Sequence, residues 1–194
     1  MGFENIRLLV LDVDGTMTDG GVYIDNNRVE SKRFSIKDGA GILMAKAAGI
    51  DVMILTGRES NCVAQRASEL GIQLIFQNVK AKSSFLQGYL EDNGLTKENV
   101  AYMGDDLNDL FAMRHAGLCA CPSDAAQEIK NQCGYIVEQK GGDGAVRAFI
   151  EIILKARGQW EQSIAVLNLK EKLAWDFTNP RRNMERPLEE QNSN

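Results

Sequence analysis

The pentapeptide DVDGT, Asp12 to Thr16, places two carboxylates one residue apart where the first apolar run of the chain gives out. The glycine between them and the next run frees the backbone to turn. A second acidic group, GDDLND, sets Asp105, Asp106 and Asp109 at the end of a later apolar run. If both runs are strands of one parallel sheet, the two groups open on the same edge, in the crevice where open α/β sheets bind ligands. So many carboxylates in one crevice repel one another unless a cation sits among them. Oxygen ligands with few protein contacts suit Mg²⁺. Either cluster alone has a plainer reading, since Asp routinely makes turns and helix N-caps. Two clusters at equivalent strand ends favour a shared site.

Two further groups suit phosphoryl oxygens. LTGR, Leu55 to Arg58, ends another apolar run with the Thr56 hydroxyl, the Gly57 backbone and the Arg58 guanidinium. Lys80 and Lys82 follow the next run, and Lys82 opens a helical pattern. A lysine at a helix start is ordinarily just solvated, so its weight comes from the order of the motifs around it.

The elements that must hold these residues follow from periodicity. Apolar runs predict strands at Leu8 to Val13, Asp51 to Thr56, Leu74 to Phe76, Val100 to Met103, Leu118 to Cys121 and Tyr135 to Val137. Amphipathic patterns predict helices at Asp38 to Ala48, Ser60 to Leu70, Lys82 to Asn93, Leu107 to Ala116, Ser123 to Gln132 and Asp143 to Ala156. The alternation implies an α/β fold, a doubly wound parallel sheet covered on both faces. Val22 to Ile36 breaks the rhythm with two partly alternating runs around Asn26 and Asn27, which reads as an inserted β-hairpin. One domain over 1–158 is expected, with a C-terminal extension over 159–194 that opens with a short helix and is otherwise polar and partly disordered.

Composition removes whole classes. The 194 residues carry 22 Lys plus Arg against 27 Asp plus Glu, a formal charge of −5, which argues against nucleic-acid partners. No uncharged apolar run approaches the roughly 18 residues that span a bilayer. The short apolar stretch after Arg7 runs straight into Asp12, so no signal peptide and a cytoplasmic location are expected. The single histidine, His115, forbids a three-His zinc site within one chain. Cys62, Cys119, Cys121 and Cys133 contain no CxxC and read as reduced.

In chain order, DVDGT, LTGR, Lys82 and GDDLND resemble the four motifs of the haloacid dehalogenase superfamily, over about residues 5 to 157. The short hairpin in place of a cap domain, FSIKDGAGI at Phe34 to Ile42, VAYMGDDLND, and GGDGAVRAF at Gly141 to Phe149 resemble its small-cap sugar-acid phosphatases. That resemblance implies a Rossmann-like sheet of the haloacid dehalogenase type and an Mg²⁺-dependent phosphatase. It implies Asp12 as a nucleophile forming an aspartyl-phosphate and Asp14 as general acid and base. Thr56 and Lys82 would stabilise the transferring phosphoryl group. Asp12, Asp105 and the Asp14 backbone carbonyl would hold the metal, supported by Asp106 and Asp109. Thr16, Gly57, Arg58 and Arg66 would lie on the substrate side. Within the group, Arg58 after TG and the KDG of Lys37 to Gly39 favour 3-deoxy-D-manno-octulosonate 8-phosphate, used in lipopolysaccharide precursor synthesis, over nine-carbon nonulosonate 9-phosphates. A homotetramer is implied as well, in which the Gly141 to Gly144 loop or the tail closes a neighbour's crevice. A receiver-like phosphorylation switch would carry similar residues, but its acidic pair precedes the acceptor Asp by a whole βα unit.

Overall fold

The computed structural model describes residues 2–165 and 167. Six parallel strands form the sheet: β1 (Leu8–Leu11), β4 (Asp51–Leu55), β5 (Leu74–Phe76), β6 (Val100–Met103), β7 (Leu118–Cys121) and β8 (Tyr135–Ile136), in the order β5-β4-β1-β6-β7-β8. The chain winds outward from β1 through β4 to β5, then returns to the other side of β1 with β6. The order therefore reverses beside β1, and the carboxyl ends of β1 and β6 flank the switch point.

Alternation along each strand builds two cores. Leu9, Leu11, Val52, Ile54, Ala101 and Met103 face one of them, which α1 (Ile36–Ala47), α2 (Asn61–Glu69) and α5 (Ala145–Ala156) cover. Leu8, Val10, Met53, Leu55, Val100 and Tyr102 face the other, under α3 (Lys82–Asp92) and α4 (Gln127–Gln132). Burial on both sides is why these strands read as continuous apolar runs. The hairpin is shorter than its sequence pattern, with β2 (Tyr23–Ile24) and β3 (Glu30–Ser31) antiparallel and only two residues long each.

Two helices differ from expectation for local reasons. The helix expected over Leu107 to Ala116 is a series of turns ending in one short 3₁₀ turn, Ala112–His115. There Asp109 is wholly buried, and the chain winds tightly to aim its carboxylate inward. The helix expected from Ser123 starts at Gln127, because the Ala126 N–H is pinned to the Asp105 carbonyl at 2.8 Å. Beyond α5 a helix begins at 160–165, as the extension's pattern predicts, and Trp160 packs on the first core. Apart from 167, the rest of the extension lies outside the described residues. Among the described residues no helix is long and apolar enough to cross a membrane, and all four cysteines are free.

Candidate active site

β1 keeps one more ladder bond past its end, from the Asp12 N–H to the Met103 carbonyl at 3.0 Å, and then the chain curls through Val13–Met17. Gly15 makes the curl possible with φ of 88°, a region costly for any residue with a Cβ. The turn brings Asp12 against the segment that follows β6. A Cβ on Gly104 would lie 2.5 Å from the Asp109 carboxyl carbon, so this glycine lets Asp109 fold back over the strand end.

Asp12, Asp105 and Asp109 each place a carboxylate oxygen within 4.8 Å of the others. Lys82, first residue of α3 and itself buried, sets its Nζ 2.8 Å from Asp12 Oδ1 and 2.7 Å from Asp109 Oδ1. The Tyr102 hydroxyl also donates to Asp109 Oδ1 at 2.7 Å, and the Thr16 hydroxyl donates to Asp105 Oδ1 at 2.9 Å. Asp12 Oδ1 is close enough to Lys82 for charge pairing, yet it lies outside hydrogen-bond geometry and is left a buried oxygen without a donor. One ammonium faces three carboxylates.

The electrostatics follow from that imbalance. Burial, then the charge of Asp109, push the Asp12 carboxyl well above its usual range, against the pull of Lys82. Burial pushes Asp105 up to about 7 despite the Thr16 hydrogen bond, with Asp109 and Asp106 adding to the rise. Burial alone would lower Lys82, but Asp12 and Asp109 outweigh it and hold the ammonium above its ordinary value. A hard, all-oxygen donor set with an unsatisfied buried oxygen and excess negative charge fits a divalent cation.

A profile of haloacid dehalogenase-like hydrolases matches residues 74–149. The 3-deoxy-D-manno-octulosonate 8-phosphate phosphatase of Escherichia coli is 40% identical over 160 residues, 82% of this chain and 85% of that one. The chain belongs to the haloacid dehalogenase-like hydrolases. The corresponding enzyme of Haemophilus influenzae is 37% identical over 80% of this chain and 87% of its own length. The crystal structure of that phosphatase from Moraxella catarrhalis, solved with a magnesium ion, a phosphate ion and a KDO molecule, is 38% identical, covers 85% of this chain and 95% of its own, and superposes with a TM-score of 0.82. The Yersinia pestis phosphatase superposes at 0.79 with 39% identity, over 82% of this chain and 86% of its own.

In this haloacid dehalogenase-like chain the expected residues divide into those that meet and those that do not. Asp12, Asp105 and Lys82 converge, and Asp109, expected only in support, stands inside the carboxylate group. Asp106 turns away and accepts from the Leu107 N–H at 2.8 Å. The Asp14 carboxylate does not join the three, so a metal role there rests on its backbone carbonyl alone. Its oxygens face Lys32 at 2.5 Å and Arg58 at 3.7 Å. Thr56 is buried at the end of β4, and its hydroxyl accepts weakly from the Arg58 N–H at 3.4 Å. The Gly57 carbonyl accepts from Lys80.

Two expectations need correction. Thr16 is wholly buried with its hydroxyl given to Asp105, so it braces that carboxylate rather than facing substrate. Arg66 is not brought to the carboxylates, because it reaches Glu69 at 3.0 Å and the Ser35 carbonyl at 3.4 Å. The Gly141 to Gly144 loop packs against the turn that follows Asp12 in its own chain. The Gly142 N–H donates to the Thr16 carbonyl at 3.0 Å, and a Cβ on Gly141 would meet the Gly15 carbonyl oxygen at 1.8 Å. Nothing in the sequence marks Lys32 or Glu30, because a charged strand in an exposed hairpin carries no signal that its side chains turn inward.

Proposed function

We propose that the chain hydrolyses 3-deoxy-D-manno-octulosonate 8-phosphate to the free sugar acid and inorganic phosphate, with Mg²⁺ held by Asp12, Asp105 and the Asp14 carbonyl. The observation that carries this reading is the 40% identity, spread over 82% of the chain, to phosphatases of that substrate. The convergence of both acidic motifs with Lys82 supports it independently. Bound Mg²⁺ would supply positive charge against the phosphoryl oxygens and hold the carboxylates ionised.

Asp12 attacks phosphorus as the ester P–O bond breaks, giving an aspartyl-phosphate and splitting one hard displacement into two easier ones. Asp14 gives its proton to the departing sugar oxygen. It then takes one from the water that attacks the aspartyl-phosphate, which frees Asp12 and phosphate. Lys82 stays charged between Asp12 and Asp109 and, with Thr56, stabilises the charge on the transferring group. Arg58, half exposed at the rim, is placed to meet the sugar acid.

A homotetramer in the cytoplasm completes the reading. Tyr23, Ile24 and Val29 expose apolar surface on a hairpin too short to be stable by itself. Neighbouring copies would cover it and shield the crevice. A phosphorylation switch is not favoured, since the relatives are phosphatases.

Phosphate release measured in Mg²⁺ from the eight-carbon and nine-carbon 2-keto-3-deoxy sugar acid phosphates tests the assignment. A higher kcat/KM on the eight-carbon ester is expected. A preference for the nine-carbon ester would replace the substrate, and no release from either would overturn the reaction.

A further inference from the structure

We infer that Lys32 is a positioning residue for proton transfer, holding the Asp14 carboxyl so that Oδ2 is the oxygen that passes the proton. The inference rests on the phosphatase reading above and names a residue that reading does not use. Lys32 follows β3 in the hairpin, where the neighbouring side chains are exposed, yet its own side chain is 0% accessible. Lysine is almost never fully buried without a partner. Here its Nζ lies 2.5 Å from Asp14 Oδ1 and 3.3 Å from Glu30 Oε1.

The contacts close into a ring. Glu30 Oε1 also accepts from Arg58 Nη2 at 3.1 Å, and Arg58 Nε lies 3.7 Å from Asp14 Oδ2. The Cys62 thiol donates to the Glu30 carbonyl at 3.2 Å and fastens the ribbon to α2. The carboxylate partners of Lys32 stay partly exposed, Asp14 at 24% and Glu30 at 23%, and ion pairs open to water contribute little, so stability alone does not account for placing an ammonium here. Its geometric effect is specific. Asp14 Oδ1 is occupied by the Lys32 donor, while Oδ2 is beyond hydrogen-bond distance from Arg58 and is free to face a ligand.

In the proton-transfer step the O–H bond at Asp14 Oδ2 breaks as the proton moves to the ester oxygen. That oxygen leaves phosphorus with the electron pair of the broken P–O bond, while Asp12 forms the new one. Lys32 keeps its protons throughout. A residue acting this way matters only where the leaving group needs a proton.

The test compares kcat/KM, which reports the steps up to expulsion of the leaving group, for an alkyl phosphate and for p-nitrophenyl phosphate, whose leaving group departs as a stable anion. For Lys32→Met the alkyl ester should lose on the order of a hundredfold and the aryl ester less than about threefold. Lys32→Arg should recover most of the loss. In an Asp14→Asn background, Lys32→Met should change nothing further on the alkyl ester. If Lys32→Met does not fold, Glu30→Gln, which loosens the same ammonium, should show the same selective loss in weaker form. Equal losses on both esters, or an undiminished effect without Asp14, would overturn the inference while leaving the phosphatase reading intact. A wild-type chain that releases no phosphate from the eight-carbon or the nine-carbon sugar acid phosphate would overturn that reading, and the inference with it.

Discussion

Gly15 and Asp105 are in direct contact across the two acidic motifs: a methyl group on Gly15 would lie 1.9 Å from Asp105 Oδ2. The carboxylate group can close only because that position has no side chain. Gly15→Ala would face a left-handed backbone penalty of about 1–2 kcal/mol and would also push Asp105 out of place. Mg²⁺ affinity should fall at least tenfold by calorimetric titration, with a lower Tm. Unchanged Mg²⁺ affinity in a folded variant would contradict the contact's importance.

Asp12 is both the proposed nucleophile and a buried charge held above its usual range by burial and by Asp109. Asp12→Asn keeps the shape and removes one of the three carboxylates that share a single lysine. Turnover should fall by several orders of magnitude, while the cation-free variant melts at a higher temperature than wild type. More than about a tenth of wild-type activity would exclude the covalent route.

Burial holds Asp105 at about 7 in the folded, cation-free chain, against roughly 3.9 when unfolded. Between those values the folded state keeps a proton that the unfolded state has lost. This group's contribution to stability therefore falls as pH rises from about 4 to about 7. Mg²⁺ competes with that proton, so the gain in Tm on adding Mg²⁺ should be larger at pH 8 than at pH 5.5. Equal gains at both would show that Asp105 does not ligate the cation.

Asp38 of α1 accepts from the Gly144 N–H at 3.3 Å and the Arg147 N–H at 2.8 Å, so the KDG and GGDGAVRAF segments meet at the start of α5. The same loop braces the Asp12 turn through Gly142. Asp38→Ala would leave the buried Gly144 donor unmet, at about 1–3 kcal/mol, and the half-buried Arg147 donor as well. A Tm lowered by several degrees together with a reduced kcat is expected. An unchanged Tm would show that the loop holds itself.

What the sequence disclosed follows from which signals are local. Strands of a parallel sheet covered by helices are apolar runs, and three of them, Leu74–Phe76, Val100–Met103 and Leu118–Cys121, have the bounds that periodicity predicts. Asp12, Asp105 and Lys82 were legible because each sits where its element begins or ends. Side-chain direction was not. Asp109 stands among the carboxylates because the chain tightens around it, Arg66 turns to Glu69, and Lys32 runs inward from an exposed ribbon. None of these leaves a periodic trace.

The hairpin decides the last prediction, on assembly. Ile24 is 65% exposed and Val29 57%, beside an exposed Tyr23, on the same ribbon that sends Lys32 inward to Asp14. One ribbon thus carries an apolar outer surface and a polar contact with the turn that follows Asp12. Fully burying one such aliphatic side chain gains about 1.5–3 kcal/mol, so several copies brought together would stabilise both the ribbon and the assembly. Sedimentation should show wild type as a tetramer. Ile24→Lys should sediment as a smaller species with reduced kcat, since a loosened ribbon no longer holds Asp14. A fully active wild-type monomer would overturn the tetramer, and a tetramer unaffected by Ile24→Lys would place the interface elsewhere.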